Sequence, residues 1–285
     1  MAVISALYIY PVKSLAGFSL SSATLSEHGL RWRNRIGDRQ WMLVLPNGRF
    51  VTQRQWPQLA RIKTELTNVG LVLHKQGMPS FHVSYDYDPQ RTMQVTVWRD
   101  EVLAFDEGDA VAQWLGEATE KSNSGVRLVR FGDESERPVS AKHLWDDESS
   151  QVAFADGYPI LVANTASLDQ FNRHLRAHDL TPLNMNRFRA NVILTDTTAW
   201  QENSISEISA HHNQYQLGLR KPCERCPMIT VDQQHGSKPE DGRPLKSLID
   251  FDCLGNGAGA YFGQNAIVTR GVGSLIEVGD DVRLG

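Results

Sequence analysis

Residues 40–55 read QWMLVLPNGRFVTQRQ and carry two β-rich runs on either side of Pro46-Asn47-Gly48. Asn-Gly supplies the positive φ that a tight turn needs, so this stretch predicts a β-hairpin. Further runs rich in β-branched and aromatic residues follow at TELTNVGLVLHKQG, FHVSY and MQVTVWRDEVLAFDEG. Strands are therefore expected to dominate the first hundred residues.

Outward from this hairpin, the chain adds more strands and two clear helical patterns. The runs VAFADGYPILVAN, RFRANVILT and AYFGQNAIV each predict a strand, the first with a turn at Asp156-Gly157. Apolar residues recur every three or four positions at 109–120 and 165–177, which predicts helices there. The expected fold class is mainly β with a few helices (α+β), not an alternating βα array.

A polar stretch near the middle suggests how the chain is divided. It predicts a linker or loop at 136–151, between a β-rich N-terminal region at 1–135 and a second β-rich region at 152–285. At 285 residues, the chain is long enough for two such units.

Composition narrows the classes of function. Lys and Arg total 29 and Asp and Glu total 33, a net charge of 29 − 33 = −4, which argues against a nucleic-acid partner. No apolar run reaches the roughly 18 residues of a membrane span, so no membrane association is expected. The first residues lack a signal-peptide pattern, and three cysteines suit a reducing compartment, so a cytoplasmic location is expected.

The sharpest local motif is KPCERCP at 221–227, followed by the strand-like MITVD. A thioredoxin-like pair is disfavoured, because Pro, Met and β-branched residues follow where a helix should begin. A zinc site is an alternative, since His235 and Cys253 could complete a Cys₃His set with Cys223 and Cys226.

Two other interpretations of the same motif stay open. Arg220, Lys221 and Arg225 could lower the pKa of a nearby thiol, giving a metal-binding thiolate in an electropositive pocket. Alternatively, the two cysteines are semi-buried structural thiols.

Several other basic residues stand at strand ends or turns, where ligand contacts are common. These are Lys13 beside Ser14, Arg39 after Gly37-Asp38, and Arg187 and Arg189 around Phe188. Each alone is explained as a solvated charge or a salt-bridge partner. Together with the cysteine motif, they suggest an anionic ligand, such as a phosphate, held by distant segments.

Collinear blocks over nearly the whole chain also resemble a known family. The blocks are IYPVKSLAG (9–17), GDRQWMLV (37–44), VTQRQ-P-L (51–59), FADGYPILVAN-ASL (154–168), RFRANVIL (187–194), KPCERCPMITVD (221–232), PLKSL (244–248) and FGQNA (262–266). In them the chain resembles the MOSC-domain molybdoenzymes, namely the bacterial YcbX-type proteins and the mitochondrial amidoxime-reducing component. The resemblance implies a β-rich N-terminal MOSC region packed on a MOSC β-barrel.

The resemblance also implies a molybdenum cofactor, a pterin carrying molybdenum, in the crevice between the two regions. Cys226, the second cysteine of the motif, would be the catalytic residue and the metal ligand, with Cys223 as its neighbour. The cofactor-binding residues implied are Lys13, Ser14, Arg39, Asp156, Gly157, Tyr158, Arg189, Asn191, Glu224, Arg225 and Asn265. Glu224 and Tyr158 depart from residues common in the family, so contacts there would involve the backbone.

The activity that the resemblance implies is reduction of small N-hydroxylated substrates, such as hydroxylaminopurines, amidoximes and hydroxylamines, to amines or amidines. Three cysteines cannot build a four-cysteine [2Fe–2S] cluster. No iron–sulfur cluster is therefore expected in this chain, and a separate ferredoxin-, flavodoxin- or reductase-type protein is expected to donate electrons. The alternatives are a MOSC sulfur carrier or cofactor-binding protein without reductase activity, and a zinc-stabilised binding module.

Overall fold

The structure is a computed structural model that describes residues 1–132, 134–210, 212–257 and 259–285. Across these ranges the chain forms nineteen β-strands and three α-helices, which confirms the mainly β fold class. The first twelve strands are β1 (Ala2–Ile9), β2 (Phe18–Leu20), β3 (Ser22–Ser26), β4 (Gly29–Trp32), β5 (Ile36–Gly37), β6 (Trp41–Val44), β7 (Lys63–Leu66), β8 (Gly70–His74), β9 (Phe81–Ser84), β10 (Thr92–Val97), β11 (Asp100–Asp106) and β12 (Arg127–Phe131). The others are β13 (Ile160–Asn164), β14 (Val192–Thr195), β15 (Glu207–Ala210), β16 (Gln216–Glu224), β17 (Tyr261–Arg270), β18 (Leu275–Glu277) and β19 (Asp281–Leu284). The helices are α1 (Asp109–Ala118), α2 (Thr165–Ala177) and α3 (Leu245–Phe251).

The largest sheet closes into a barrel of seven described strands. Its order is β14-β13-β17-β16-β15-β19-β1, and pairing of β1 with β14 completes the ring. Apolar side chains such as Leu7, Val162 and Leu217 alternate inward and fill the interior. β13 and β14 run parallel because α2 connects them as a crossover, whereas the other barrel pairs are antiparallel.

The N-terminal region contributes three smaller sheets beside the barrel. Their orders are β10-β11-β12-β6, β18-β3-β4-β5 and β7-β8-β9. Trp41, Leu43 and Leu115 lie in their shared apolar core. The two regions also exchange strands: β1 belongs to the barrel, and β18 pairs with β3.

The hairpin at 40–55 is confirmed at its turn, and its second arm pairs with the first only as far as Val51. Gly48 has a φ of +76°, and its N–H donates to the Leu45 carbonyl at 2.9 Å. Beyond the turn, Phe50 forms a bridge with Val44, and the Val51 N–H donates to the Leu43 carbonyl at 2.9 Å. The arm ends early because the carbonyl of Thr52 accepts from the N–H of Trp56 at 2.9 Å, which turns the chain.

Both predicted helices are present. α2 has the predicted bounds, and the Asn164 side chain caps it by accepting from the Ala166 N–H at 2.9 Å. α1 ends two residues before the predicted boundary, at Ala118. The apolar stripes of α1 and α2 face the cores. The sequence did not predict α3. α3 has only seven residues, too few for its apolar positions to show a clear helical period.

The predicted linker at 136–151 is held against the rest of the molecule. The buried Arg137 pairs with Asp100 at 2.6 Å and donates to the Asp156 carbonyl at 3.2 Å. Ser150 also donates to the Glu27 carbonyl at 3.0 Å. The segment therefore supports the turn at Asp156-Gly157. None of the described helices is long and apolar enough to cross a membrane.

Candidate functional site

One cleft collects most of the residues predicted for the site. It encloses about 720 Å³ of space, part of it open to solvent. Eleven of the twelve predicted residues line it, and these are Lys13, Ser14, Arg39, Asp156, Gly157, Tyr158, Arg189, Asn191, Arg225, Cys226 and Asn265. The twelfth, Glu224, is exposed on β16 and does not line the cleft.

The end of β16 brings the cysteine motif to this cleft. Pairing of β16 with β17 shifts register between Leu219 and Lys221 and again between Pro222 and Glu224. Such irregularities accommodate a proline in a strand and change the direction of the following side chains. Cys223 and Cys226 are both partly buried and both line the cleft.

Two expectations around this motif are wrong. MITVD does not continue as a strand, because residues Pro227–Thr230 form a 3₁₀ turn that begins immediately after Cys226. Arg220 does not face the cysteines either. Its guanidinium pairs with Glu148 at 2.5 Å and lies 3.7 Å from the ring centre of Trp145.

The Arg225 guanidinium contacts the thiol of Cys223 and is held in place by both of its terminal nitrogens. Its Nη1 lies 2.9 Å from Cys223 Sγ, while Nη2 donates to the Phe188 carbonyl at 2.8 Å. Phe188 is buried and stacks on Phe262, with ring centres 3.8 Å apart. Arg225 is thus fixed between the cysteine motif and the barrel wall.

The suggested zinc set is not assembled. Cys253 lies apart, its Sγ 3.2 Å from the Tyr261 carbonyl, and burial raises the pKa of its thiol to about 11. His235 is exposed and contacts Asp232 at 2.9 Å. Among the described residues, no three His, Cys, Asp or Glu side chains form a group that could hold a metal ion.

Lys13 and Asp156 form an ion pair at the mouth of the cleft. Lys13 Nζ lies 2.5 Å from Asp156 Oδ1 and also donates to the Phe154 carbonyl at 2.7 Å. Burial acts to raise the pKa of Asp156, but the charge of Lys13 and hydrogen bonds from Lys13 and Trp98 outweigh it. The pKa of Asp156 is therefore held well below its usual range, and the carboxylate is ionised.

A stacked arrangement of two guanidinium groups and a phenol forms the floor of the cleft. The guanidinium carbons of Arg39 and Arg189 lie 4.5 and 4.2 Å from the ring centre of Tyr10. Arg39 pairs with Asp38 and donates to the Asn191 side-chain carbonyl at 3.3 Å. Burial raises the pKa of Tyr10 to about 12 and lowers the pKa of Arg189 to about 10, so Tyr10 is neutral and Arg189 charged at neutral pH.

Three cleft residues have a left-handed backbone although none is glycine. Ser14, Arg39 and Arg189 have φ values of 68°, 49° and 54°. Each such residue costs roughly 1–3 kcal/mol and persists only where its surroundings fix it. All three residues line the same cleft, to which they contribute two guanidinium groups and a hydroxyl.

The cleft also holds buried polar atoms that the described residues leave without a hydrogen-bond partner. They are Arg189 Nη2, Arg225 Nε and the hydroxyl of Tyr158. Two of the three can only donate, which is what an anionic ligand requires. The cleft lining carries five cationic side chains, Lys13, Arg39, Arg54, Arg189 and Arg225, against the carboxylate of Asp156. These features fit a bound anionic group such as a pterin phosphate.

Sequence reasoning missed several residues of the site. Arg54 and Thr52 line the cleft, and Arg137 supports the Asp156 turn from behind. Thr52 and Arg54 lie within VTQRQ, one of the blocks that carry the family resemblance. That block could therefore have indicated both as site residues. No sequence pattern indicates Arg137, which lies in the segment predicted to be a linker.

Comparison with known proteins agrees with this architecture. Residues 1–122 match the MOSC N-terminal beta barrel domain, and residues 149–283 match the MOSC domain. The chain is 31% identical over 253 residues to the molybdenum cofactor sulfurase of Homo sapiens, covering 83% of this chain and 27% of that protein. The chain therefore spans about a quarter of the length of that relative.

Two other relatives are covered more fully. The chain is 28% identical over 254 residues to mitochondrial amidoxime reducing component 2 of Bos taurus, covering 88% of this chain and 72% of that protein. It is 28% identical over 293 residues to mitochondrial amidoxime-reducing component 1 of Mus musculus, covering 100% and 82%. The two domain matches together include every strand of the barrel and of the smaller sheets except β12, which lies in the unmatched residues 123–148, and the last residue of β19. This chain belongs to the MOSC-domain proteins.

Proposed function

We propose that this protein binds the molybdenum cofactor in the cleft and reduces small N-hydroxylated compounds to amines or amidines. One observation supports the proposal: Cys226 lines the same cleft as Arg189 and Arg225, which each carry a buried donor without a partner among the described residues. The similarity to mitochondrial amidoxime-reducing components supports the same activity.

The lining residues would hold the cofactor through complementary chemistry. Arg189 and Arg225 would donate to its phosphate or pterin oxygens, and Arg39 would add charge from the floor of the cleft. Cys226 would supply a soft thiolate ligand to the metal. When bound, the cofactor supplies the two-electron redox chemistry that no protein side chain here provides.

The proposed reaction balances as R–NHOH + 2 e⁻ + 2 H⁺ → R–NH₂ + H₂O. The N–O bond breaks, the nitrogen is reduced, and the oxygen leaves as water. The chain contributes position and electrostatics: Lys13 is fixed by Asp156 at the mouth, and the stacked Arg39 and Arg189 keep the floor positive. Fixed positive charge favours an anionic group without reorganisation of the site during the reaction.

The electrons would come from a separate ferredoxin-, flavodoxin- or reductase-type protein. The cleft is partly open to solvent, so an electron-donor protein could approach a bound cofactor from that open side. A cytoplasmic location and the absence of a nucleic-acid partner stay predictions of the sequence.

The first test is molybdenum content and reductase activity of protein purified from a host that makes the cofactor. We expect molybdenum near one atom per chain and reduction of a hydroxylamine with an artificial electron donor. Cys226→Ala should lose both activity and most of the metal, whereas Cys253→Ala, outside the cleft, should keep them. A fully active Cys226→Ala variant would overturn the assignment.

A second candidate is a sulfur-carrying protein without reductase activity. It is favoured by Cys223, whose Sγ lies 2.9 Å from Arg225 Nη1, since a guanidinium would stabilise a persulfide anion there. The 31% identity to a molybdenum cofactor sulfurase agrees with it. This protein would retain molybdenum, fail to reduce hydroxylamines, and lose cyanide-releasable sulfur in Cys223→Ala.

A further inference from the structure

A tryptophan at the rim of the cleft has no role in the function proposed so far. Trp98 and Arg99 form the two-residue tip of the hairpin that joins β10 to β11, closed by the pair Val97 and Asp100. The Trp98 side chain is 49% exposed. Exposure alone assigns no role, since Trp145 is 52% exposed, so the backbone and the contacts of Trp98 decide its interpretation.

The backbone of Trp98 makes its presence at this tip more unusual. Its φ is +60°, in the left-handed region, and a hairpin turn with such a first residue favours glycine. A bulky residue is therefore held where the turn itself would be more stable with glycine. The side chain, not the turn, accounts for the choice of residue.

Contacts with cleft residues fix the indole ring. Its Nε1 donates to Asp156 Oδ1 at 3.0 Å, and the guanidinium carbon of Arg54 lies 4.8 Å from the ring centre. Phe50 meets the ring edge to face, with centres 5.3 Å apart. Asp156 and Arg54 both line the cleft, so the ring is anchored at its mouth.

We propose that Trp98 is a specificity-determining residue that stacks on the planar ring of aromatic N-hydroxylated substrates as their N–OH group enters the cleft. The inference rests on the proposed function and adds a substrate class to it: planar heteroaromatic compounds over small aliphatic hydroxylamines. An indole offers a flat, weakly solvated surface, and stacking tolerates many ring types. The anchoring contacts hold that surface in place before substrate arrives, which lowers the entropic cost of binding.

The binding test uses adenine, a planar product that cannot be reduced, with the molybdenum-loaded protein. Isothermal titration calorimetry should give a Kd at least tenfold weaker for Trp98→Gly than for the wild type. Glycine suits a φ of +60°, so this variant should keep the hairpin. Trp145→Phe is the matched control, because Trp145 is 52% exposed and lies against Arg220 but does not line the cleft. Its Kd should stay within twofold of the wild-type value.

A kinetic test addresses substrate choice. The ratio of kcat/KM for 6-hydroxylaminopurine to that for N-methylhydroxylamine should fall about tenfold in Trp98→Gly and stay unchanged in Trp145→Phe. The loss should appear mainly in KM for the purine, because stacking acts on substrate binding.

The outcomes separate this inference from the proposed function. Unchanged adenine affinity in Trp98→Gly would overturn the stacking role, whatever the activity. Loss of molybdenum from Trp98→Gly would also overturn it, by assigning Trp98 to the cofactor. Adenine binding that depends on Trp98, in a protein that reduces no N-hydroxylated compound, would support the stacking role and refute the reductase.

Discussion

Lys13 Nζ and Asp156 Oδ1 lie 2.5 Å apart and join the segment between β1 and β2 to the turn before β13. The two side chains differ in exposure: Lys13 is 7% exposed and Asp156 is 58% exposed. Lys13 is therefore a buried cation whose counter-ion faces the cleft. The pair connects the N-terminal region to the wall of the site.

Replacing Asp156 with Asn should destabilise the protein in a pH-dependent manner. At pH 7 we expect the free energy of unfolding to fall by about 1–2 kcal/mol. This is less than the roughly 3–5 kcal/mol expected when a fully buried ion pair is broken, because Asp156 is partly solvated. Since Lys13 depresses the pKa of Asp156 in the folded state, the difference from the wild type is full above about pH 4. It shrinks as the pH falls below that value. Urea unfolding of both proteins at pH 7, 5 and 3 measures this difference in the free energy of unfolding.

Asp109→Asn is the control for this experiment. Asp109 pairs with Arg127 at 2.8 Å but is almost fully exposed, so its replacement should change the free energy of unfolding much less. A wild-type advantage over Asp156→Asn that grows as the pH falls would contradict the linkage.

Arg189→Lys should lower cofactor retention more than it lowers stability. A lysine amine can still donate to the Leu15 carbonyl, which Arg189 Nη1 contacts at 2.6 Å. It cannot reproduce the planar fork whose Nη2 is left without a partner among the described residues. We expect molybdenum per chain to fall several-fold while the Tm of the cofactor-free protein falls by a few degrees.

Arg187→Lys tests whether any nearby arginine has this effect. Arg187 donates to the Thr230 carbonyl at 3.0 Å, pairs with Asp232 at 2.8 Å and does not line the cleft. It should lose stability and keep its molybdenum. Equal metal loss in both variants would remove the special role of Arg189.

Gly157→Ala should reduce molybdenum content without destabilising the cofactor-free protein. A Cβ at Gly157 would meet no described atom within 4 Å, and its φ lies outside the left-handed region. The methyl group would enter open space at the cleft lining, where the cofactor is proposed to bind. Stability should stay unchanged or rise by about 0.5 kcal/mol.

Gly263→Ala serves as the comparison, because it should lose stability without placing a methyl group in the cleft. Gly263 has a φ of +76°, and a Cβ there would lie 2.6 Å from the Val162 carbonyl oxygen. It should lose stability by at least 1 kcal/mol, as strained glycine sites do. If Gly157→Ala retained full molybdenum, the open space at that position would not be cofactor space.

Alkylation should distinguish Cys226 from Cys253. At pH 8 iodoacetamide should modify Cys253 least, because burial raises its pKa to about 11 and leaves about one thiol in a thousand as thiolate. Cys226 should react in cofactor-free protein and be protected in loaded protein. Peptide mass spectrometry gives the extent at each site. Equal modification of Cys226 in both forms would contradict its role as metal ligand.

Much of the fold was predictable because the signals were local. The apolar stripe and cap of α2 lie within thirteen residues, and the helix has the predicted bounds. The β-branched residues of MITVD suggested a strand. Instead, Pro227 begins a 3₁₀ turn in which the Thr230 hydroxyl donates to the Pro227 carbonyl at 2.6 Å. The second hairpin arm is shorter than predicted, because the chain turns at Thr52.

The site was predicted from motif resemblance more than from physics. Residue types and positions suggested an anionic ligand, and the structure brings Lys13, Arg39 and Arg189 to one cleft. Sequence could not reveal that Arg220 pairs with Glu148, because that contact joins residues 72 positions apart. The anchoring of Trp98 by Asp156 was hidden for the same reason, at a separation of 58.

The exchange of β1 and β18 between the two matched regions has a consequence for biosynthesis. β1 needs β14 and β19 as neighbours, so the barrel cannot close until residues 281–284 have left the ribosome. β1 is synthesised first but stays unpaired with β19 until that strand, the last in the described chain, has emerged. Such long-range pairing slows folding, and it makes nascent β1 a natural target for chaperones. Cutting the chain between the two regions would separate strands that complete one another, so neither fragment should fold alone.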